Sequence, residues 1–124
     1  MHAVLTTPVF EADAKAAGLG EDEIMEMVVY LSENPQAGDV IPGTGGARKL
    51  RFAGRGKGKS GGYRTIHFFA GDDVPIFLLA LVDKGGRADL SQRERNLLSK
   101  ELAGLASDYR EGVAARVALM KRRR

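Results

Sequence analysis

Between Pro75 and Val82 the chain reads PIFLLALV, almost wholly apolar. Eight residues fall far short of the roughly 20 that a membrane-spanning helix needs. The length instead suits a strand, and a strand without a polar face has to be buried on both sides. The remaining elements must therefore cover a sheet from two directions.

Helices are expected at both ends. Ala3 to Thr6 suits a short strand, and Thr7 followed by Pro8 supplies an N-cap and a first helical position, for a helix that ends at Gly18. Glu21, Asp22 and Glu23 put negative charge in the first turn of a second helix. Ile24, Met27, Val28 and Leu31 recur along it at helical spacing until Pro35 stops it. After a loop rich in Gly and Pro, Lys49–Ala53 and Tyr63–Ala70 read as antiparallel strands joined by GRGKGKSGG, and Pro75–Val82 completes a three-strand meander. Ser91 and Glu94 form a capping box for the last helix, whose stripe runs through Leu98, Leu102, Leu105, Tyr109, Val113 and Val117. Lys121 to Arg124 suit the negative end of its dipole. The expectation is one α+β domain over residues 1–124: an N-terminal helix pair, a small antiparallel sheet and a C-terminal amphipathic helix.

Composition narrows the chemistry. With no cysteine and only His2 and His67, the chain offers neither a disulfide framework nor a thiolate metal site, so no metal and no cofactor are expected. The N-terminus lacks a basic region followed by an apolar one, which makes a cytoplasmic protein with no membrane partner the expectation.

Charge is distributed unevenly. Val40 to Gly71 carries seven Lys/Arg and one His but no Asp or Glu, a local excess that the whole-chain net charge of +3 conceals. Eight glycines lie between Gly43 and Gly62. Such a segment attracts polyanions and lets the backbone approach a phosphate, which makes nucleic acid the first partner to consider. Within it, AGRGKGKS at 53–60 imitates a nucleotide-binding loop. That motif works by opening a helix whose N-terminal amides hold the phosphates, whereas here the chain runs on into strand-like Tyr63 to Phe69.

The blocks NPQAGDVIPGTGGARKLRF, GKGKSGGYRTIHFF and IFLLALVDKGGRADLS, in this order, resemble the RelE/ParE superfamily of toxins, specifically the HigB-like branch of type II toxin-antitoxin systems. The resemblance covers nearly the whole chain. It implies a compact α+β toxin held by a cognate antitoxin, expected to be of helix-turn-helix type, and, on release, cleavage of messenger RNA on the ribosome. Arg64, in GGYR, matches the family's characteristic catalytic arginine, and Lys84 a position that is often basic. Relatives often carry an aromatic residue where Val82 stands and a glycine where Asp83 stands, and the C-terminal helix is longer than is typical.

The residue types suit that chemistry. Attack of a 2′-hydroxyl on the adjacent phosphorus gathers charge on the nonbridging oxygens and the leaving 5′-oxygen, which fixed cations stabilise. Arginines act as bidentate phosphate clamps, and a lysine crowded by cations gives up its proton more readily. Arg64, Lys57 and Lys59 are thus the catalytic candidates, with Lys57 or Lys59 assisting proton transfer. Arg48, Lys49, Arg51, Arg55, Tyr63 and Lys84 are candidate RNA contacts. Lys49 and Arg51 share a strand face that Arg48 does not, so one of these sets is ordinary surface charge. Tyr63 either stacks on a base or packs in the core. His67 lies on the face opposite Arg64, which favours a structural role. The alternatives are a non-catalytic gyrase poison on the same scaffold, as in the ParE branch, and a basic RNA-binding module.

Overall fold

A computed structural model describes residues 2–53, 62–83 and 90–122. Strand β1 (Val4–Thr6) leads into helices α1 (Pro8–Ala16) and α2 (Glu21–Glu33). Strands β2 (Asp39–Val40), β3 (Arg48–Ala53), β4 (Gly62–Phe68) and β5 (Ile76–Asp83) follow, and helix α3 (Gln92–Arg122) closes the chain. The strands form one sheet in the order β1-β5-β4-β3-β2.

The fold is α+β as expected, with two additions to the sheet. From β2 to β5 every pairing is antiparallel, but β1 pairs parallel to β5, with Val4 opposite Ile76 and Thr6 opposite Leu78, so the sheet is mixed. Strand β2 lies in what the sequence suggests is loop, and it pairs Asp39 with Lys49 and Val40 with Arg48. Gly38, at φ +85°, makes that approach possible: a β-carbon there would lie 2.2 Å from the Lys49 carbonyl oxygen.

Local chemistry starts and stops the helices. Thr7 accepts a hydrogen bond at its hydroxyl from the Phe10 amide (3.2 Å), with Pro8 in the first turn. In α3 the capping box closes reciprocally: the Ser91 amide donates to Glu94 Oε1 (2.9 Å) and the Glu94 amide to Ser91 Oγ (3.2 Å).

Two cores cover the sheet. On one face α1 and α2 bury Phe10, Ala14, Met27 and Leu31 against Tyr63, Leu78 and Leu81, with Leu50 and Phe52 at the margin. On the other, α3 places Leu102, flanked by Leu98, Leu105 and Tyr109, over Ile66, Phe68 and Phe77. Each fully buried side chain such as Phe10 or Leu31 contributes roughly 2 to 3 kcal/mol relative to exposure.

Strand β5 is interior to the sheet, as its composition demands, but its pairing with β4 shifts by one residue. Ile66 pairs with Ala80, and His67 with Leu78 rather than Leu79. The shift lets Leu78 and Leu81, three apart, face the same core. Because β1 ends opposite Leu78, the edge of β5 beyond it needs other partners. The Thr7 hydroxyl donates to the carbonyls of Leu78 and Leu79 (3.1 and 3.0 Å), and Asp13 Oδ2 accepts from the Leu81 amide (3.1 Å). No helix of the described residues is long and apolar enough to cross a membrane.

Candidate nucleic-acid interface

Alternation along the strands sorts the cations. Leu50, Phe52 and Tyr63 point to α1 and α2, so Lys49, Arg51 and Arg64 point to the face that carries α3. Arg51 stands directly opposite Arg64, and Arg64 opposite Val82, so these three residues form a row across β3, β4 and β5. Neighbouring strands lie about 4.8 Å apart, which makes the row about 10 Å wide. Lys49, Ile66 and Ala80 form the next row on this face, and the core beneath α3 takes in Ile66 and Ala80 together with Val82 at the end of the first row.

Arg64 is the one residue of β4 that is not buried. Every other position of the strand is buried, so the partly exposed Arg64 stands in mid-sheet rather than at a solvated edge. Gly62 positions its companion. A β-carbon on Gly62 would sit 3.1 Å from Arg51 Nε and 3.6 Å from its Nη2, so the Arg51 guanidinium lies across the bare α-carbon of Gly62. The second glycine of GGYR thereby leaves the space that the Arg51 guanidinium occupies.

Arg48 and Tyr63 separate from this group. Arg48 lies on the opposite face, and its guanidinium donates to the carbonyls of Gln36 and Gly38 (3.1 and 3.2 Å), tying the segment after α2 to the sheet. The Arg48 side chain is thus held by backbone carbonyls on the face away from the Arg51 and Arg64 row. Tyr63 is 3% exposed within the first core, so its ring packs, and the reading as a base-stacking residue is corrected. Arg55, Lys57 and Lys59 lie in the segment joining the paired residues Ala53 and Gly62, and Lys84 follows β5. All four lie outside the described residues.

The described chain that follows the nucleotide-loop motif is strand β4, which starts at Gly62 and pairs with β3, and not the helix that such a motif needs. The glycines of GTGG have another use. Gly43, Gly45 and Gly46 adopt positive φ around the fully buried Thr44, whose hydroxyl donates to the Ile41 carbonyl (2.7 Å) and accepts from the Ala47 amide (3.1 Å). This closed turn sets the start of β3 beside α3.

His67 is fully buried on the Arg48 side, and its Nε2 lies 3.2 Å from the Pro35 carbonyl oxygen. Desolvation lowers its pKa below 6.5; the Pro35 hydrogen bond opposes that shift, and the positive charge of Arg48 adds to it. A neutral, sealed imidazole on the wrong face has a structural role. One cation that charge patterning did not single out is Arg95, which precedes Leu98 and Leu102 on the sheet-facing side of α3. Its Nε is buried without a hydrogen-bond partner among the described residues. Its three-residue spacing from Leu98 is the signal available in the sequence.

The family model of the RelE toxin of the RelE / RelB toxin-antitoxin system matches residues 2–121. The chain belongs to the RelE toxin family. It is thus a toxin of a toxin-antitoxin system, and a cognate antitoxin is its partner. In this RelE-family toxin the arginine row occupies the half of the α3 face that lies toward the 54–61 segment, while α3 covers the other half.

Proposed function

We propose that this toxin is an endoribonuclease that cleaves messenger RNA on the ribosome, as in the HigB-like branch, with Arg51 and Arg64 gripping the scissile phosphate. The observation that carries the reading is the direct opposition of these two arginines on one face of the sheet, Arg51 exposed and Arg64 partly so. Residues paired directly across antiparallel strands stand about 5 Å apart at the backbone, and a guanidinium suits bidentate contact with the nonbridging oxygens of a phosphodiester. Lys49, on the same face, meets a neighbouring phosphate.

In the proposed reaction the 2′-oxygen attacks phosphorus and the bond to the 5′-oxygen breaks, leaving a 2′,3′-cyclic phosphate and a 5′-hydroxyl. The 2′-hydroxyl proton passes to a base, and the leaving oxygen receives one. Arg64 stabilises the charge that accumulates on phosphorus-bound oxygen in the transition state. Lys57 and Lys59 remain the candidates for proton transfer on sequence grounds, since His67 is sealed in the opposite core. Guanidinium and ammonium groups, rather than a metal ion, supply the positive charge in this scheme.

The test is cleavage of a defined transcript, with and without translating ribosomes, by the wild type and by Arg64→Ala. The expected result is cleavage by the wild type alone, with both proteins binding RNA. An intact transcript under persistent growth arrest would favour a non-catalytic poison instead.

A further inference from the structure

Helix α3 is too long for the body that it covers. Its 31 residues span about 46 Å, whereas the eight-residue strand β5 spans about 26 Å. Packing ends at Tyr109, which meets Phe77 edge-on at 6.2 Å, and at Arg110, whose guanidinium pairs with both carboxylate oxygens of Asp73 (2.6 and 2.8 Å). From residue 111 to residue 122 every position is exposed.

This overhang is amphipathic. At about 100° per residue, Val113, Val117 and Met120 continue the line of Leu102, Ala106 and Tyr109 along the helix, although they are 44%, 44% and 68% exposed. Arg116 flanks the stripe about 60° to one side, and Lys121 about 80° to the other. Between Glu111 and the C-terminus the sequence holds five cations and one acid. As a free helix the segment is weak: 12 residues are near the limit of independent stability in water, and Gly112 with two valines lowers propensity further.

We propose that the α3 overhang is a docking site for an acidic amphipathic segment of the cognate antitoxin. The apolar stripe continues a packed face past the edge of the sheet, cations line both of its sides, and a partner that covers it stabilises a helix with little support of its own. A second copy of the overhang would bring the same positive excess and be repelled, whereas an acidic segment is complementary. The inference rests on membership of the toxin family and is independent of the nuclease reading.

The test is calorimetric titration of the purified toxin with its cognate antitoxin, using the wild type, Val113→Asp/Val117→Asp, and the charge reversal Lys121→Glu/Arg122→Glu. Because these side chains are exposed, melting temperatures should match the wild type. The apolar pair is expected to weaken binding at least about tenfold. Charge reversal should weaken it as well, mainly at low salt. Hydrogen exchange at 111–122 should slow on complex formation. Unchanged antitoxin affinity in both variants would overturn the proposal. So would a concentration-dependent toxin dimer that the same substitutions dissolve, which would seat the stripe on a second copy at the acidic α2 surface of Met25, Glu26, Val29 and Tyr30. A loss confined to RNA affinity would overturn it in favour of an RNA-binding tail. Transcript cleavage, read in parallel with Arg64→Ala, tests the nuclease reading separately.

Discussion

Gly38→Ala and Gly18→Ala make a matched pair that tests how β2 is held. Both glycines have positive φ, +85° and +76°. Placing alanine in that region costs about 1 to 2 kcal/mol in either case. The two sites differ in space. A β-carbon at Gly18 meets nothing within 4 Å, whereas at Gly38 it would lie 2.2 Å from the Lys49 oxygen, 2.9 Å from the Lys49 carbonyl carbon and 3.2 Å from the Leu50 β-carbon. Backbone atoms cannot rotate aside, so β2 must part from β3. Steric overpacking adds about 1 to 3 kcal/mol, and the Gly38 carbonyl that receives Arg48 is displaced too. Gly38→Ala should therefore cost about 2 to 5 kcal/mol, against about 1 to 2 for Gly18→Ala. For a chain of this size each kcal/mol lowers Tm by about 3 to 5 °C, which separates the variants clearly in a calorimetric melt. Equal Tm losses at the two sites would refute the close approach of Gly38 to β3.

Three further outcomes follow from particular contacts. His67 has a folded pKa below its unfolded value of 6.5, so between the two the unfolded chain holds a proton that the folded chain does not. Its contribution to stability is complete above about pH 6.5 and is lost as pH falls through the folded pKa, at up to about 1.4 kcal/mol per pH unit. Denaturant titrations from pH 7.5 to 5 should show that extra slope in the wild type and not in His67→Gln; parallel curves would remove the buried neutral imidazole from the account. Thr44→Val keeps the shape but leaves the Ile41 carbonyl and the Ala47 amide without the hydroxyl, and should cost about 1 to 3 kcal/mol by chemical denaturation. Gly62→Ala should lift the Arg51 guanidinium off the sheet and reduce RNA cleavage several-fold with only a small change in Tm. Full activity in that variant would detach Arg51 from the reaction.

What the sequence disclosed was mostly local. Thr7-Pro8 and Ser91/Glu94 announce helix starts because the capping atoms lie within three residues of one another. The apolar run of β5 and the cation-rich strands are likewise visible in short windows. Strand β2 was hidden because two residues carry no periodic signal; its existence depends on Lys49, ten residues on, and on the space that Gly38 leaves. The parallel pairing of β1 with β5 joins residues 72 apart, and no local pattern encodes it. Tyr63 was ambiguous for a related reason. Six of the seven positions in β4 are buried, so alternation no longer marks which face is wet. Strict alternation did place Arg48 on the face away from Lys49 and Arg51, and the carbonyls of Gln36 and Gly38 that hold Arg48 come from a segment ten or more residues away. The overhang of α3 was legible only in part, since the stripe through Val113 and Val117 looks like core until the sheet proves too short to reach it.

The account stands most directly on Arg64 acting at a phosphodiester together with Arg51. Single-turnover cleavage of a translated transcript should fall by about two to three orders of magnitude in Arg64→Ala, the scale of losing one transition-state oxyanion contact. Retained RNA affinity and a cooperative melt of the folded variant should accompany the loss. Wild-type cleavage rates in Arg64→Ala would contradict it.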